Sequence, residues 1–344
     1  MTTKPCLFRA IAVSLFLTAG FTLHAATLYV DQRYGPGGNG STNAPYNTVQ
    51  LAINDARSSD VIVYPGTYME NLSVHKSIRI IGYDGPNTTA IDGSAGSNAV
   101  SIAQGQTVWL MGLKISSGTR GVYQPTEGTL YLRNCIVCGN HSHGVYVECT
   151  STTLSPTLYM DNCICVNNGG SGLYVYGSYI SQNKDGIPTV RAHNNILIGN
   201  TGFGLELYVK TVYPFVLGEI TVDYNDYVAN VSGNYSSLIG PSGSFSAGAH
   251  SFSVEPNFVG GSAYACNQDY RLLIGSICRN SGAVGLGWLN PDGTRSDIGA
   301  YGGPGAATFF TNPNDGPIIR NVTIDQGMVP KGSTFTIRAT GAVR

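Results

Sequence analysis

Short alternating runs of apolar and polar residues recur through the middle of this chain, always with the same punctuation. The segments RNCIVCGNHSHGVYVE, DNCICVNNGGSGLYVY, HNNILIGNTGFGLELY and the worn DYNDYVANVSGNYSSL align without gaps. Their second positions are Asn134, Asn162, Asn194 and Tyr224, spaced by 28, 32 and 30 residues. Their eighth positions, Asn140, Asn168, Asn200 and Asn230, are Asn in every copy, and Gly144, Gly172 and Gly204 follow four residues on in the first three. A period in this range marks one supersecondary unit that cannot bury its apolar face alone and must stack on its neighbours. The runs alternate with period two, so the unit is a coil of strands and the array a solenoid.

Alternation assigns faces, because successive strand side chains point to opposite sides and stacked coils keep register. Leu130 with Leu132, Leu158 with Met160, Val190 with Ala192, and Ile220 with Val222 point inward. Two columns then point outward: Trp109, Tyr131, Tyr159, Arg191, Thr221, and beside them Arg133, Asp161, His193, Asp223. In the later run of each repeat, Val122, Val145, Leu173 and Leu205 are inward. Tyr123, Tyr146, Tyr174 and Glu206 are outward, with Glu148, Tyr176 and Tyr208 alongside. Upstream, Leu28 to Val30 reads as a strand, and Val49, Ala52, Ile53 and Ala56 recur at helical spacing behind the candidate caps Asn47 and Thr48. A short helix there covers the open end of the first coil.

The segment DVIVYPGTYMENLSVHKSIRIIGYDG resembles the entry coils of the pectate-lyase-like right-handed parallel β-helix superfamily, and the Asn/Gly repeats resemble its generic coil repeat. The stretch Asp269 to Gly305 resembles the closing segment of secreted bacterial proteins of that kind. Together the likeness spans about Thr27 to Gly305. It implies an all-β fold, a right-handed parallel β-helix with a short N-terminal capping helix. It does not choose an activity, since such architectures carry lyases, hydrolases, epimerases, adhesins and tailspikes. After Asn312, the text IIRNVTIDQGMVPKGSTFTIRATGAVR is similar to the first strands of an immunoglobulin-like module, too short for a full sandwich and read as a truncated one.

The expected organisation is residues 1–26 as a signal peptide, 27–310 as the β-helix, and 311–344 as a linker and the start of the immunoglobulin-like module. Lys4 and Arg9, the apolar stretch Ala10 to Phe21 and the small residues around Ala25 have the three-part layout of a secretory signal, too short to span a bilayer comfortably. The expectation is a secreted, extracellular or cell-surface protein with no membrane span after cleavage, and a monomer. Composition agrees with an elongated, polar-coated β-structure: 45 glycines, 21 tyrosines against 11 phenylalanines, and 11% charged residues. Net charge is −1 with no basic run, which argues against nucleic acid.

Beyond the signal lie Cys135, Cys138, Cys149, Cys163, Cys165, Cys266 and Cys278, an odd number that leaves a free thiol. Cys135 and Cys163 share a repeat position and read either as an inter-coil disulfide or as a ladder of thiols. Parallel Cβ vectors favour the ladder. Cys135-x-x-Cys138 has no second pair at zinc spacing.

The Asn columns read as structural, an amide ladder at the strand spacing, with Asn also tolerant of left-handed turns. The outward columns are the candidate site. Trp109, Tyr131 and Tyr159, and on the other face Tyr146 and Tyr174 with Glu206, are candidates for glycan binding. The alternative is an aromatic ladder that only stabilises the sheets. Arg133, Asp161, Arg191, His193 and Asp223 gather ionisable groups of both signs on successive coils. A polysaccharide lyase needs a base and positive charge, which Arg133, Arg191 or His193 would supply; a hydrolase needs two carboxyls, here Asp161 and Asp223. An ordinary surface charge ladder is the competing reading.

The chain lacks an aspartate cluster like the calcium site of pectate lyases, and lacks the Asn-Thr-Asp, Asp-Asp and Gly-His-Gly set of polygalacturonases. No metal site or cofactor is expected; Ca2+ would suit the resemblance, but no ligand cluster supports it. The expectation is a glycan-engaging protein, its partner a polysaccharide or cell-surface glycan. Its catalytic form would be a lyase ahead of a glycoside hydrolase, and its alternative a non-catalytic surface or adhesion protein.

Overall fold

A computed structural model describes residues 26–55, 57–125, 127–151, 154–177, 188–209, 220–239, 247–306, 309, 318–324 and 337–342. The expected signal peptide through residue 25, Ala56 of the capping helix, and much of the C-terminal tail lie outside them.

Three parallel sheets run the length of a right-handed β-helix. The first has eight strands: Ala26–Val30, Ser58–Val63, Ile78–Gly82, Thr107–Met111, Gly128–Arg133, Pro156–Asp161, Thr189–His193 and Ile220–Asp223. The second has seven, from Gly66–Tyr68 to Asp226–Val228, and the third seven, from Leu72–Val74 to Gly233–Ile239. From Ser58–Val63 onward each coil contributes one strand to each sheet, as in Gly128–Arg133, Ile136–Cys138 and Val145–Cys149, and Ala26–Val30 is an extra strand of the first sheet. The helix Val49–Asn54 forms as expected, with the Thr48 hydroxyl accepting from the Leu51 N–H and with Val49, Ala52 and Ile53 buried. In the tail, Ile318–Ile324 and Ile337–Ala342 pair antiparallel.

The repeat punctuation has two mechanical roles. Asn134, Asn162, Asn194 and Tyr224 turn the chain from the first sheet into the second with φ between 51° and 59°, left-handed backbone that Asn tolerates better than most residues. Asn140, Asn168, Asn200 and Asn230 turn inward at the next corner and form a ladder: each Nδ2 donates to the next Oδ1 at 2.9 Å. Gly144 lies so close to this ladder that a Cβ would stand 2.6 Å from the Gly172 carbonyl oxygen and 2.9 Å from Asn168 Nδ2. The requirement there is space, not positive φ. Cys135 and Cys163 are buried free thiols, as the ladder reading expects, and their column continues as amides, with Asn195 Nδ2 donating to Asn225 Oδ1 at 3.0 Å.

From Ile136–Cys138 through Ile196–Ile198 the second sheet is buried on both faces. Val137, Cys165 and Leu197 point into the helix, while Ile136, Ile164 and Ile196 point out into a second apolar cluster with Phe258, Tyr270, Ile298 and Tyr301. These partners belong to an arm, residues 247–306 with Phe309, that follows the coils in sequence and runs back along the solenoid. Phe252 bridges Asp226; Asp297 O accepts from Asn162 Nδ2 at 2.8 Å; Ala300 O and Gly302 O accept from Asn134 Nδ2; Phe309 reaches Gly85. A disulfide between Cys138 and Cys266 ties the arm to the coils.

Candidate functional site

The register of the first sheet sets its outward columns residue by residue. Trp109, Tyr131, Tyr159, Arg191 and Thr221 are successive partners, as are Arg133, Asp161, His193 and Asp223. The arm crosses this face at the Asn corner. Gly303 and Gly305 permit the approach, since a Cβ on Gly305 would stand 2.0 Å from Asn134 Oδ1. Between sheet and arm lies a cavity of roughly 400 Å³. Tyr131, Arg133, Tyr159, Asp161 and Arg191 line it from the coils, and Gly287, Trp288, Pro304 and Gly305 from the arm.

Asp161 is its most unusual member. It is 6% exposed, and its Oδ2 lies 3.5 Å from Arg133 Nε, while its buried Oδ1 has no hydrogen-bond partner among the described residues. Burial pushes the carboxyl up to about 6, although Arg133 and Arg191 both pull it down. Two guanidiniums would ordinarily hold a carboxyl low, so desolvation wins here. The result is a carboxyl that changes charge near neutral pH.

His193 contacts two residues of the cavity lining, Arg191 and Trp288. Arg191 Nε donates to its Nδ1 at 3.2 Å, and burial together with Arg191 lowers its pKa to about 4. The ring is therefore neutral at pH 7 with its proton on Nε2, which makes His193 a donor rather than a base. Asp223 is drawn elsewhere. Its Oδ2 lies 2.7 Å from His250 Nδ1, and its Oδ1 accepts from the Tyr224 and His250 backbone N–H groups, which hold the carboxyl low against its burial. It anchors the arm and does not line the cavity, so Asp161 and Asp223 do not form a carboxyl pair there.

The aromatic column is a ladder. Trp109 stacks on Tyr131 at 3.7 Å between centroids and Tyr131 on Tyr159 at 4.8 Å, with interplanar angles of 11° and 9°. Their faces are turned to one another, so the ring edges are what this column presents outward. Tyr146, Tyr174 and Glu206 lie on the third sheet, apart from this cavity. There Tyr123, Tyr146 and Tyr174 tilt against each other, His143 stacks on Tyr174 at 4.3 Å, the Arg120 guanidinium lies 4.2 Å from the Tyr146 ring centroid, and Glu206 accepts from the Ser171 hydroxyl.

Among the described residues no three His, Cys, Asp or Glu side chains converge on a metal position, and no helix is long and apolar enough to cross a membrane. Sequence reasoning missed the arm's share of the cavity. Trp288, one of two tryptophans in the chain, sits in a Gly-rich stretch, and that was the signal available.

Residues 53–219 match the family model described as a right handed beta helix region. A cell surface glycoprotein of Methanothermus fervidus is 30% identical over 142 residues, a stretch that covers 37% of this chain and only 22% of that protein. A crystal structure of pectate lyase Pel9A aligns over 81% of this chain and 98% of its own, at 11% identity and a TM-score of 0.29.

Proposed function

We propose that this right-handed parallel β-helix is a secreted or cell-surface protein that engages a polysaccharide in the cavity between its first sheet and its arm, and that it acts there as a lyase. The observation that carries the reading is Asp161, a buried carboxyl poised near 6 between the guanidiniums of Arg133 and Arg191 in a concave site.

Elimination needs a base for the proton α to a uronate carboxylate, and positive charge where the enolate-like intermediate develops. Above its pKa, Asp161 is an acceptor suited to the first task. The guanidiniums of Arg133 and Arg191 are suited to the second. The proton passes to the carboxylate, the β C–O bond breaks, and the departing oxygen takes a proton from solvent. Hydrolysis by two carboxyls fits less well, because Asp223 is committed to His250.

A second reading, a non-catalytic surface protein, is favoured by the self-stacked aromatic ladder, which needs no ligand to explain it, and by the relative named a cell surface glycoprotein. Incubation with uronate-containing and neutral polysaccharides, recording ultraviolet absorbance of unsaturated ends and reducing-end release together, separates the two. Absorbance with new ends supports the lyase. New ends without absorbance indicate hydrolysis, and silence across the panel from folded protein favours the structural role.

A further inference from the structure

Trp288 is the aromatic of the cavity that stands outside the ladder. It ends the single turn Leu286–Trp288, which contains no buried residue, and Leu286 at its tip is 91% exposed. The loop stands off the body: a Cβ added at Gly285 or at Gly287 would meet nothing within 4 Å. Among the described residues its ring meets the Arg191 guanidinium, 5.3 Å from the ring centroid, and the His193 ring, at 5.7 Å. A tryptophan held this way adds little to any core, yet it lines the wall opposite Tyr159 and Asp161.

We propose that Trp288 forms a sugar-stacking subsite, gripping one pyranose ring of the glycan against the first sheet and setting how tightly the cavity holds its ligand. The inference rests on the glycan-engaging reading above and names the residue that does the gripping. An indole offers a broad apolar surface that suits the C–H face of a pyranose, while its polar edge stays wet. The ladder residues are less available for this role, because Tyr131 is stacked on both faces and Trp109 and Tyr159 on one face each. Arg191 and His193 fix the indole from the sheet side, so the subsite is assembled by coil and arm together. Trp288 is here a binding residue and takes no part in moving the proton.

The test uses the full chain with oligogalacturonates and xylo-oligosaccharides as probes, read by calorimetry and by tryptophan emission. With Trp109 and Trp288 the only tryptophans, Trp109→Phe isolates Trp288 and Trp288→Phe isolates Trp109. The inference expects emission in Trp109→Phe to shift on binding. It also expects Trp288→Ala to weaken affinity roughly tenfold, with Trp288→Phe intermediate. Undiminished affinity in Trp288→Ala, with the wild-type chain binding a probe, overturns the inference and leaves the glycan reading standing. Binding of neither probe by the folded wild-type chain overturns that reading, and the subsite with it. The two probe classes separate a neutral from an anionic sugar at the same subsite.

Discussion

Cys138, on the outer face of the second sheet, is disulfide-bonded to Cys266 of the returning arm, 128 residues along the chain. The bond closes a long loop and fixes an arm whose other attachments are non-covalent, so it constrains the unfolded chain strongly. Removing it with Cys138→Ser and Cys266→Ser together is expected to lower stability by about 2–5 kcal/mol. Thermal unfolding of the double variant checks this, and wild-type protein in a thiol reductant should unfold at the same lowered temperature.

The asparagine ladder predicts a position-dependent loss. Asn168 accepts from the Asn140 side chain and backbone N–H, and donates to Asn200 Oδ1 and to the Val137 carbonyl. Asn168→Ala leaves several buried groups unpaired at once and should destabilise by about 2–4 kcal/mol. Asn230, the last rung among those named, has a ladder partner on one side only, so Asn230→Ala should be milder. Urea unfolding of the two variants gives the comparison.

Burial also sets a pH dependence. Asp226 is buried between the last coil and the arm, accepts from the Val254 N–H, and is pushed up to about 7. A carboxyl whose folded pKa lies above its unfolded value favours the folded state while protonated. That contribution is complete below about 4 and is lost as pH rises through about 7. Stability should therefore fall between these values. Asp226→Asn, which keeps an oxygen acceptor for Val254, should flatten the fall and be the more stable protein at pH 8, as measured by denaturant midpoints across pH.

Much of this molecule is legible in its sequence for one physical reason: a solenoid repeats its register. Alternation placed Arg133, Asp161 and His193 in one column and Trp109, Tyr131 and Tyr159 in the next, and the strand pairing has the same partners. The Asn140 ladder and the Thr48 cap follow from equally local rules. Ring orientation does not, because alternation fixes which face a side chain leaves by and says nothing of its plane. The arm was the larger gap. Its backbone is irregular, its contacts join residues more than a hundred positions apart, as with Asn134 and Ala300, and it turns the outward isoleucines of the second sheet into core. Asp223 illustrates the consequence, since the column position was right and His250 of the arm took the carboxylate.

Charge at the site predicts a graded effect on turnover. Arg133→Ala and Arg191→Ala each remove positive charge where the intermediate develops, and each should lower kcat by about a hundredfold or more. Asp223→Ala should leave kcat nearly unchanged while loosening the arm. Steady-state rates and unfolding midpoints of the three variants test the assignment together.

The most direct test of the central claim is the rate of unsaturated-end formation against pH for wild-type protein and Asp161→Asn. With Asp161 as the base, the wild-type rate should rise with pH through about 6, and Asp161→Asn should lose that limb along with about a hundredfold or more of the rate. An Asp161→Asn protein that turns over at the wild-type rate with the same pH profile, or a folded wild-type protein that forms no unsaturated ends from any uronate polymer, would contradict it.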